Sequence, residues 1–335
     1  MAEDTKMTIE ERYGVKYTGI LARQLQQEHS VLSPYVTHMP NCVGKSMQID
    51  YTNMSEMKRI LSAYQNVENP TRDKFTARQM FAVPYYTAHE FTCDKALYSN
   101  YLEHGVPNII KEIKAEAQRK KDAQIIGMAP DAEGIYRKIT AETTPSGPYS
   151  EIIGGGILGT NYLGTTGSVR EELDPDKNII HYDFVEGGSS IESNMTLGKF
   201  REAVTRLKRS KAYVPGVTHP VCVMSSSQIL SLSQQFEVSH PGWGILDMEN
   251  GRMKRLYGVE IVESELLPYM AGSTNVRLCP MFIKEHIYFG AWQDVDVLVE
   301  GKGNGRVNYG RVVAQLSYGS TRKYLQSVLE IQCEE

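Results

Sequence analysis

KSMQIDYTNM, residues 45–54, and RQMFAVPYYTAHEF, residues 78–91, decide how the rest of the chain is read. In the first, Met47, Ile49 and Tyr51 alternate with Ser46, Gln48, Asp50 and Thr52, the period of two of a strand with one covered face. The second alternates less regularly and carries Pro84. Proline cannot donate to a sheet ladder, so this strand is expected at an edge or apart from the main sheet. Together the two predict a projecting hairpin arm, an extended loop over residues 39–90. Apolar side chains left open on such an arm, Met47, Ile49, Tyr51, Phe81 and Val83, would invite aggregation. Something must cover them: another copy of the same chain, or the chain's own domain if the hairpin folds inward.

Downstream, CDKALYSNYLEHG (93–105) predicts a short helix stopped by Gly105. PNIIKEIKAEAQRKKDAQIIGMA (107–129) comes next, with Pro107 in the first turn, where its missing N–H costs nothing. Ile109, Ile110, Ile113, Ala117, Ile125 and Ile126 fall along one side. At about 1.5 Å per residue this helix is a brace about 33 Å long. Residues 130–193 are rich in Gly, Thr, Asp and Ser, with short strand-like pieces such as IIHYDFV. An amphipathic helix then buries Leu197, Phe200, Val204 and Leu207, and carries Lys199, Arg201, Arg206, Lys208, Arg209 and Lys211 on or beside a face expected to be solvated. A buried strand at Val221–Met224 leads into a helix opened by Ser225, with Gln228 completing a capping box. The last 60 residues turn to strands: QDVDVLVE (293–300), a hairpin at Asn304-Gly305, a return through Val312, Ala314, Leu316 and Tyr318, and a closing strand SVLEIQCEE (327–335). Residues 1–38 form a polar leader with a helical pattern near Tyr17–Leu25, expected to act as an arm.

Composition excludes several functions. Lys and Arg total 36 against 40 Asp and Glu, a net charge of -4, and like charges form no block of the kind a dedicated nucleic-acid binder needs. The five cysteines are scattered without C-x-x-C spacing and are expected as free thiols. The leader lacks the apolar core of a secretory signal and no run of 18 apolar residues occurs, so a cytoplasmic protein without membrane contact is expected. GGGILG at 154–159 matches the dinucleotide fingerprint, with Asp174 about 20 residues on. The adjoining residues, TNYLGTTGS, start no helix to receive a pyrophosphate, so a mobile glycine-rich loop is expected instead. The eight histidines show no metal spacing, and no nucleophile motif is present. No catalytic, cofactor-binding or metal-binding residue is expected, and no cofactor.

The extended hairpin, the short helix, the long helix ending in QRKKDAQIIGMA and the closing segment AQLSYGSTRKYLQSVLEIQCEE, in that order, resemble a tailed-bacteriophage major capsid protein. Arg119 and Asp122 occupy the family's places near the end of the spine helix; Gly319, Thr321, Arg322, Glu330 and Glu334 occupy those of its closing stretch. The resemblance covers about residues 20–129 and 195–335 and implies an α+β fold with four parts. These are an N-terminal arm (1–38), an extended loop (39–90), a peripheral domain with the spine helix and closing sheet (91–150 and 276–335), and an axial domain (151–275). It implies hexamers and pentamers of this chain in an icosahedral head shell around double-stranded DNA, a portal, loose DNA contact, and assembly in host cytoplasm. The short leader implies a separate scaffolding protein rather than a fused one. Met47, Ile49, Tyr51, Phe81 and Val83 are then candidates for contact with a neighbouring subunit. A cellular nanocompartment shell would share the fold, and a nucleotide-binding enzyme using 154–159 is the reading from another class.

Overall fold

The computed structural model describes residues 27, 29–52, 75–94, 106–140, 155–164, 169–186, 191–238, 246–249, 252–304 and 307–335. The expected short helix over 93–105 and the helical pattern near Tyr17–Leu25 lie outside them, apart from Cys93 and Asp94, which are in a strand.

The chain enters through a 3-10 turn at Ser33–Tyr35 and strand β1 (Thr37–Met39). β2 (Ser46–Thr52) and β3 (Phe75–Phe81) form the expected hairpin, paired from Ser46↔Phe81 to Thr52↔Phe75. The second extended stretch is not one strand. It breaks at Ala82, whose N–H bonds to the Lys45 carbonyl (3.1 Å) and closes the hairpin root. β4 (Val83–Asp94) then leaves for a different sheet. Pro84 sits there in an outermost strand, where a missing donor is tolerated.

Helix α1 (Val106–Ile126) is the expected brace, and it stops three residues earlier than the sequence suggests. Gly127 takes a φ of +86°, the left-handed conformation that ends helices, and β5 (Met128–Pro130) begins at once, paired with β6 (Tyr136–Lys138). β7 (Asn161–Leu163), β8 (Val169–Glu171), the single turn α2 (Pro175–Asn178) and β9 (Ile179–Ile180) give the middle segment its order. α3 (Leu197–Arg209) is capped by Thr196, whose Oγ1 accepts from the Lys199 amide (3.2 Å). β10 (Pro220–Met224) is buried throughout. α4 (Ser226–Val238) opens with half of the expected capping box: Gln228 Oε1 accepts from the Ser225 amide (2.6 Å), while the Ser225 hydroxyl turns to Glu335 (2.7 Å). The strands β11 (Leu246–Glu249), β12 (Arg252–Leu256), β13 (Val259–Glu263), β14 (Val276–Ile283), β15 (Ile287–Asn304), β16 (Val307–Arg322) and β17 (Val328–Glu334) complete the chain. Asn304 pairs with Val307, and Gly305 of the expected Asn304-Gly305 turn lies outside the described residues.

Three larger sheets result. β1-β15-β16-β4 is long and narrow, and α1 lies on it: Ile113 is buried with Val312 and Ala314, flanked by Ile109, Ile110, Val295 and Val297. β11-β12-β13-β10-β14-β17-β9 is the widest and holds most of the core. The closing strand β17 lies between β14 and β9, and Val328 to Cys333 are buried on both faces. β2-β3-β7-β8 ties the hairpin root to the middle segment. Among the described residues no helix is long and apolar enough to cross a membrane.

Candidate subunit-contact site

The five side chains expected on the arm divide. Ile49 is buried within its own chain, at 7% exposure, while Met47, Tyr51, Phe81 and Val83 keep part of their surface open. Tyr51 meets Tyr324 edge-on (centroids 5.1 Å) and Phe81 meets Tyr162 the same way (4.9 Å). Met47 Sδ receives the Cys42 thiol (3.7 Å). Val83 is not on the hairpin but in β4, opposite Tyr318 of β16.

What holds the hairpin root was not visible as a site in the sequence. Arg78, opposite Ile49 in β3, is 2% exposed, and its Nη1 lies 2.6 Å from Glu171 Oε2 in β8. Arg322, at the end of β16, is fully buried and shares that carboxylate at 3.8 Å. It also donates to the carbonyls of Ile157 (3.1 Å), Gly159 (2.8 Å) and Glu171 (2.8 Å). Loss of water pushes the Arg322 guanidinium down to about 10, opposed by Glu171 and reinforced by the Arg78 charge. An arginine on a period-two strand reads as a solvent-facing residue; only contact between strands distant in sequence reveals its partner.

The glycine-rich segment is a packed plug, not the expected mobile loop: residues 155–160 are all buried. The amides of Ile157 and Leu158 donate to the carbonyls of Ile125 (2.9 Å) and Ile126 (2.8 Å), completing the otherwise open C-terminal end of α1. A Cβ on Gly127 would stand 2.6 Å from the Gly155 carbonyl oxygen, and one on Gly156 would stand 2.7 Å from Gly127 Cα. Asn161 locks the turn, donating to the carbonyls of Gly156 (2.9 Å) and Gly159 (3.0 Å) and accepting from Thr321 Oγ1 (2.8 Å). The amides of Ile157 and Leu158 are thus committed to α1, which opposes the nucleotide-binding reading.

Residues ahead of β1 are pinned to the spine helix by Asp122. Its buried carboxylate accepts from Gln27 Nε2 (2.6 Å), Ser30 Oγ (2.5 Å) and the amides of Val31 (3.0 Å) and Leu32 (3.1 Å). Burial pushes this carboxyl up, against four donors that favour its charged form. The basic helix α3 also differs from expectation: Arg206 is only partly exposed, paired with Glu202, and the larger departure is Lys199. Lys199 is fully buried, and its ammonium donates to the carbonyls of Tyr182 (2.7 Å), Ser193 (2.6 Å), Asn194 (3.3 Å) and Gln332 (3.2 Å). Arg201, Lys208, Arg209 and Lys211 are exposed as expected.

Between the hairpin root and the C-terminal end of α3 lies a cleft of about 1110 Å³, lined among others by Tyr51, Arg78, Glu171, Arg209, Lys211 and Tyr324. Among the described residues no three His, Cys, Asp or Glu side chains gather closely enough to hold a metal ion.

A long helix laid on a narrow sheet, a two-stranded hairpin rooted beside it and a wide mixed sheet flanked by helices define a phage-capsid fold. The capsid of Ralstonia phage GP4 is similar over 95% of this chain and 94% of that one, at 12% identity and a TM-score of 0.64. The capsid of a native GTA particle matches over 100% of both chains at 12% identity and 0.56. The SrpI encapsulin of Synechococcus elongatus PCC 7942 matches over 97% and 94% at 8% identity and 0.56. A search of curated protein sequences finds no match. Residues 9–335 match the family described as phage capsid protein, and the chain belongs to that family. It is accordingly a structural subunit of the virion's head shell, and it associates with copies of itself.

Proposed function

We propose that this chain is the major coat protein of a tailed phage, closing as hexamers and pentamers into an icosahedral shell around double-stranded DNA. The observation that carries the reading is the family match over nearly the whole chain, joined to a fold that reproduces the spine helix, the hairpin and the wide sheet together. Many modest interfaces sum through multivalency in such a shell, and no active site is required. Residues 1–38 serve as the arm and 39–90 as the extended loop, with the peripheral part at 91–150 and 276–335 and the axial part at 151–275. Within that division β14 and β17 pair into the sheet that holds β10, which couples the two parts. Met47, Tyr51, Phe81 and Val83, each partly open, are the proposed contacts with a neighbouring copy; Ile49, the fifth residue expected there, is buried in the subunit. A separate scaffolding protein, a portal and loose contact with DNA complete the assembly, which takes place in host cytoplasm without membrane. The encapsulin likeness favours a second reading, a shell around a protein cargo.

The two readings separate on particles purified from infected cells. In the first, DNase-resistant double-stranded DNA co-purifies with particles in which this chain is the most abundant protein. Particles filled with one enzyme and free of DNA would establish the second.

A further inference from the structure

The cleft at the hairpin root carries unbalanced positive charge. Arg78, buried in its wall, meets Glu171, a carboxylate that fully buried Arg322 also approaches while feeling Glu172 as well, and Arg78 Nε is among the buried nitrogens without a hydrogen-bond acceptor. On the facing wall, Lys177 is neutralised by Asp174 (3.0 Å) and Arg206 by Glu202 (2.9 Å). Arg209 and Lys211 remain, exposed and, among the described residues, without an acidic partner. Buried donors left unmatched cost free energy until an acceptor arrives, and an acceptor that carries negative charge gains most.

The rest of the lining says what kind of acceptor fits. Tyr51, Tyr324 and Val214, which is 46% exposed, give the cleft apolar surface, and Glu171, Asp174, Asp176 and Glu202 also line it. Four carboxylates would repel a nucleic-acid backbone, whereas a peptide can place one acidic side chain among them and lay apolar atoms against the tyrosines. The volume, about 1110 Å³, suits several residues of chain. The protein surrounded by copies of itself has one abundant source of such a peptide.

We propose that this cleft receives an Asp- or Glu-bearing segment of a second copy of the chain, so that its carboxylate pairs with Arg209 and Lys211 and faces Arg78 beside Glu171. The inference rests on self-association into a shell. Contact between copies would thereby lock the root of the hairpin in place.

Zero-length carbodiimide crosslinking tests it. Shells co-assembled from 14N- and 15N-labelled chains are treated so that lysine amines join adjacent carboxylates, then digested and mapped by mass spectrometry. The expected result is Lys211 joined to an acidic peptide in mixed-isotope pairs, lost when the shells are dissociated first. Lys211 joined only within one isotope, or unlinked while other lysines react, would overturn the proposal. As a second arm, Arg209→Glu with Lys211→Glu alters only exposed side chains. It is expected to lower shell yield at least about tenfold while the subunit keeps its circular dichroism and melting temperature. Normal shell yield would contradict the proposal, and normal shells holding less DNA would assign this wall to nucleic acid instead. Wild-type chain that forms no shells under any condition would remove the coat-protein reading itself.

Discussion

Arg78 of the hairpin and Glu171 of β8 meet at 2.6 Å in a site where the arginine is almost fully buried. The hairpin root is therefore held by charge as well as by packing, and the carboxylate is shared with Arg322. Replacing Glu171 by Gln would remove the carboxylate nearest both buried cations, leaving Arg322 only the influence of Glu172. Breaking a buried pair of this kind costs about 3 kcal/mol. Urea denaturation of the unassembled subunit should show a loss of that order, and an unchanged midpoint would place the stabilisation of the root elsewhere.

Asp122 should govern the segment ahead of β1 independently of that cluster. With Asp122→Ala, the amides of Val31 and Leu32 lose their acceptor. Each unmatched buried donor costs about 1–3 kcal/mol, enough to free the segment without unfolding the sheets. Hydrogen exchange over residues 30–36 should accelerate at least about tenfold, since about 1.4 kcal/mol already gives that factor. Unchanged protection would refute the role given to Asp122.

The glycine plug gives a paired test. Gly127→Ala meets both a φ of +86° and the Gly155 carbonyl at 2.6 Å, whereas Gly164→Ala meets only a φ of +84°, with no atom within 4 Å of the new Cβ. The Gly164 variant should lose about 1–2 kcal/mol, the cost of the left-handed conformation alone, and the Gly127 variant clearly more. Equal losses would mean that close approach of the two backbones contributes nothing.

Asp131 supplies a pH dependence. The hydrogen bond from Arg137 holds its carboxyl below the usual range, assisted by the amides of Ile135 and Glu133 and opposed by slight desolvation. A depressed carboxyl pKa contributes stability above its unfolded value, near 4, and that contribution disappears as pH falls through the lower folded value. The wild type should therefore exceed Asp131→Asn in urea midpoint at pH 7, with the gap closing below about pH 4. A gap that persists at pH 2 would contradict the assignment.

Much of this architecture is legible in the sequence because periodicity records burial. The alternation of 45–54, the apolar stripe of 107–126 and the closing strands all became the elements expected. What the sequence concealed depends on contacts between distant segments. Ala82 looks like part of a continuous strand, yet its bond to Lys45 breaks the ladder and sends Val83 to another sheet. Lys199 has the spacing of a solvated residue but lies buried at a convergence of four carbonyls from three segments. Glycines at 155, 156 and 159 suggest mobility, whereas Gly156 admits the end of α1, and Gly155 the Ser320 carbonyl, at distances no side chain would permit. Arg322 was legible through the resemblance, Arg78 and Glu171 were not.

The central claim is that this chain builds a shell through its extended loop. Negative-stain electron microscopy of the purified chain, alone and co-expressed with a candidate scaffolding protein encoded by a neighbouring gene, tests this directly. The wild type is compared with a variant in which a short turn replaces residues 53–74, joining Thr52 to its partner Phe75. Uniform round shells, tubes or capsomer rings from the wild type, and only soluble subunits from the variant, are the expected result. Small discrete oligomers from the wild type under both conditions, or intact shells from the variant, would contradict it.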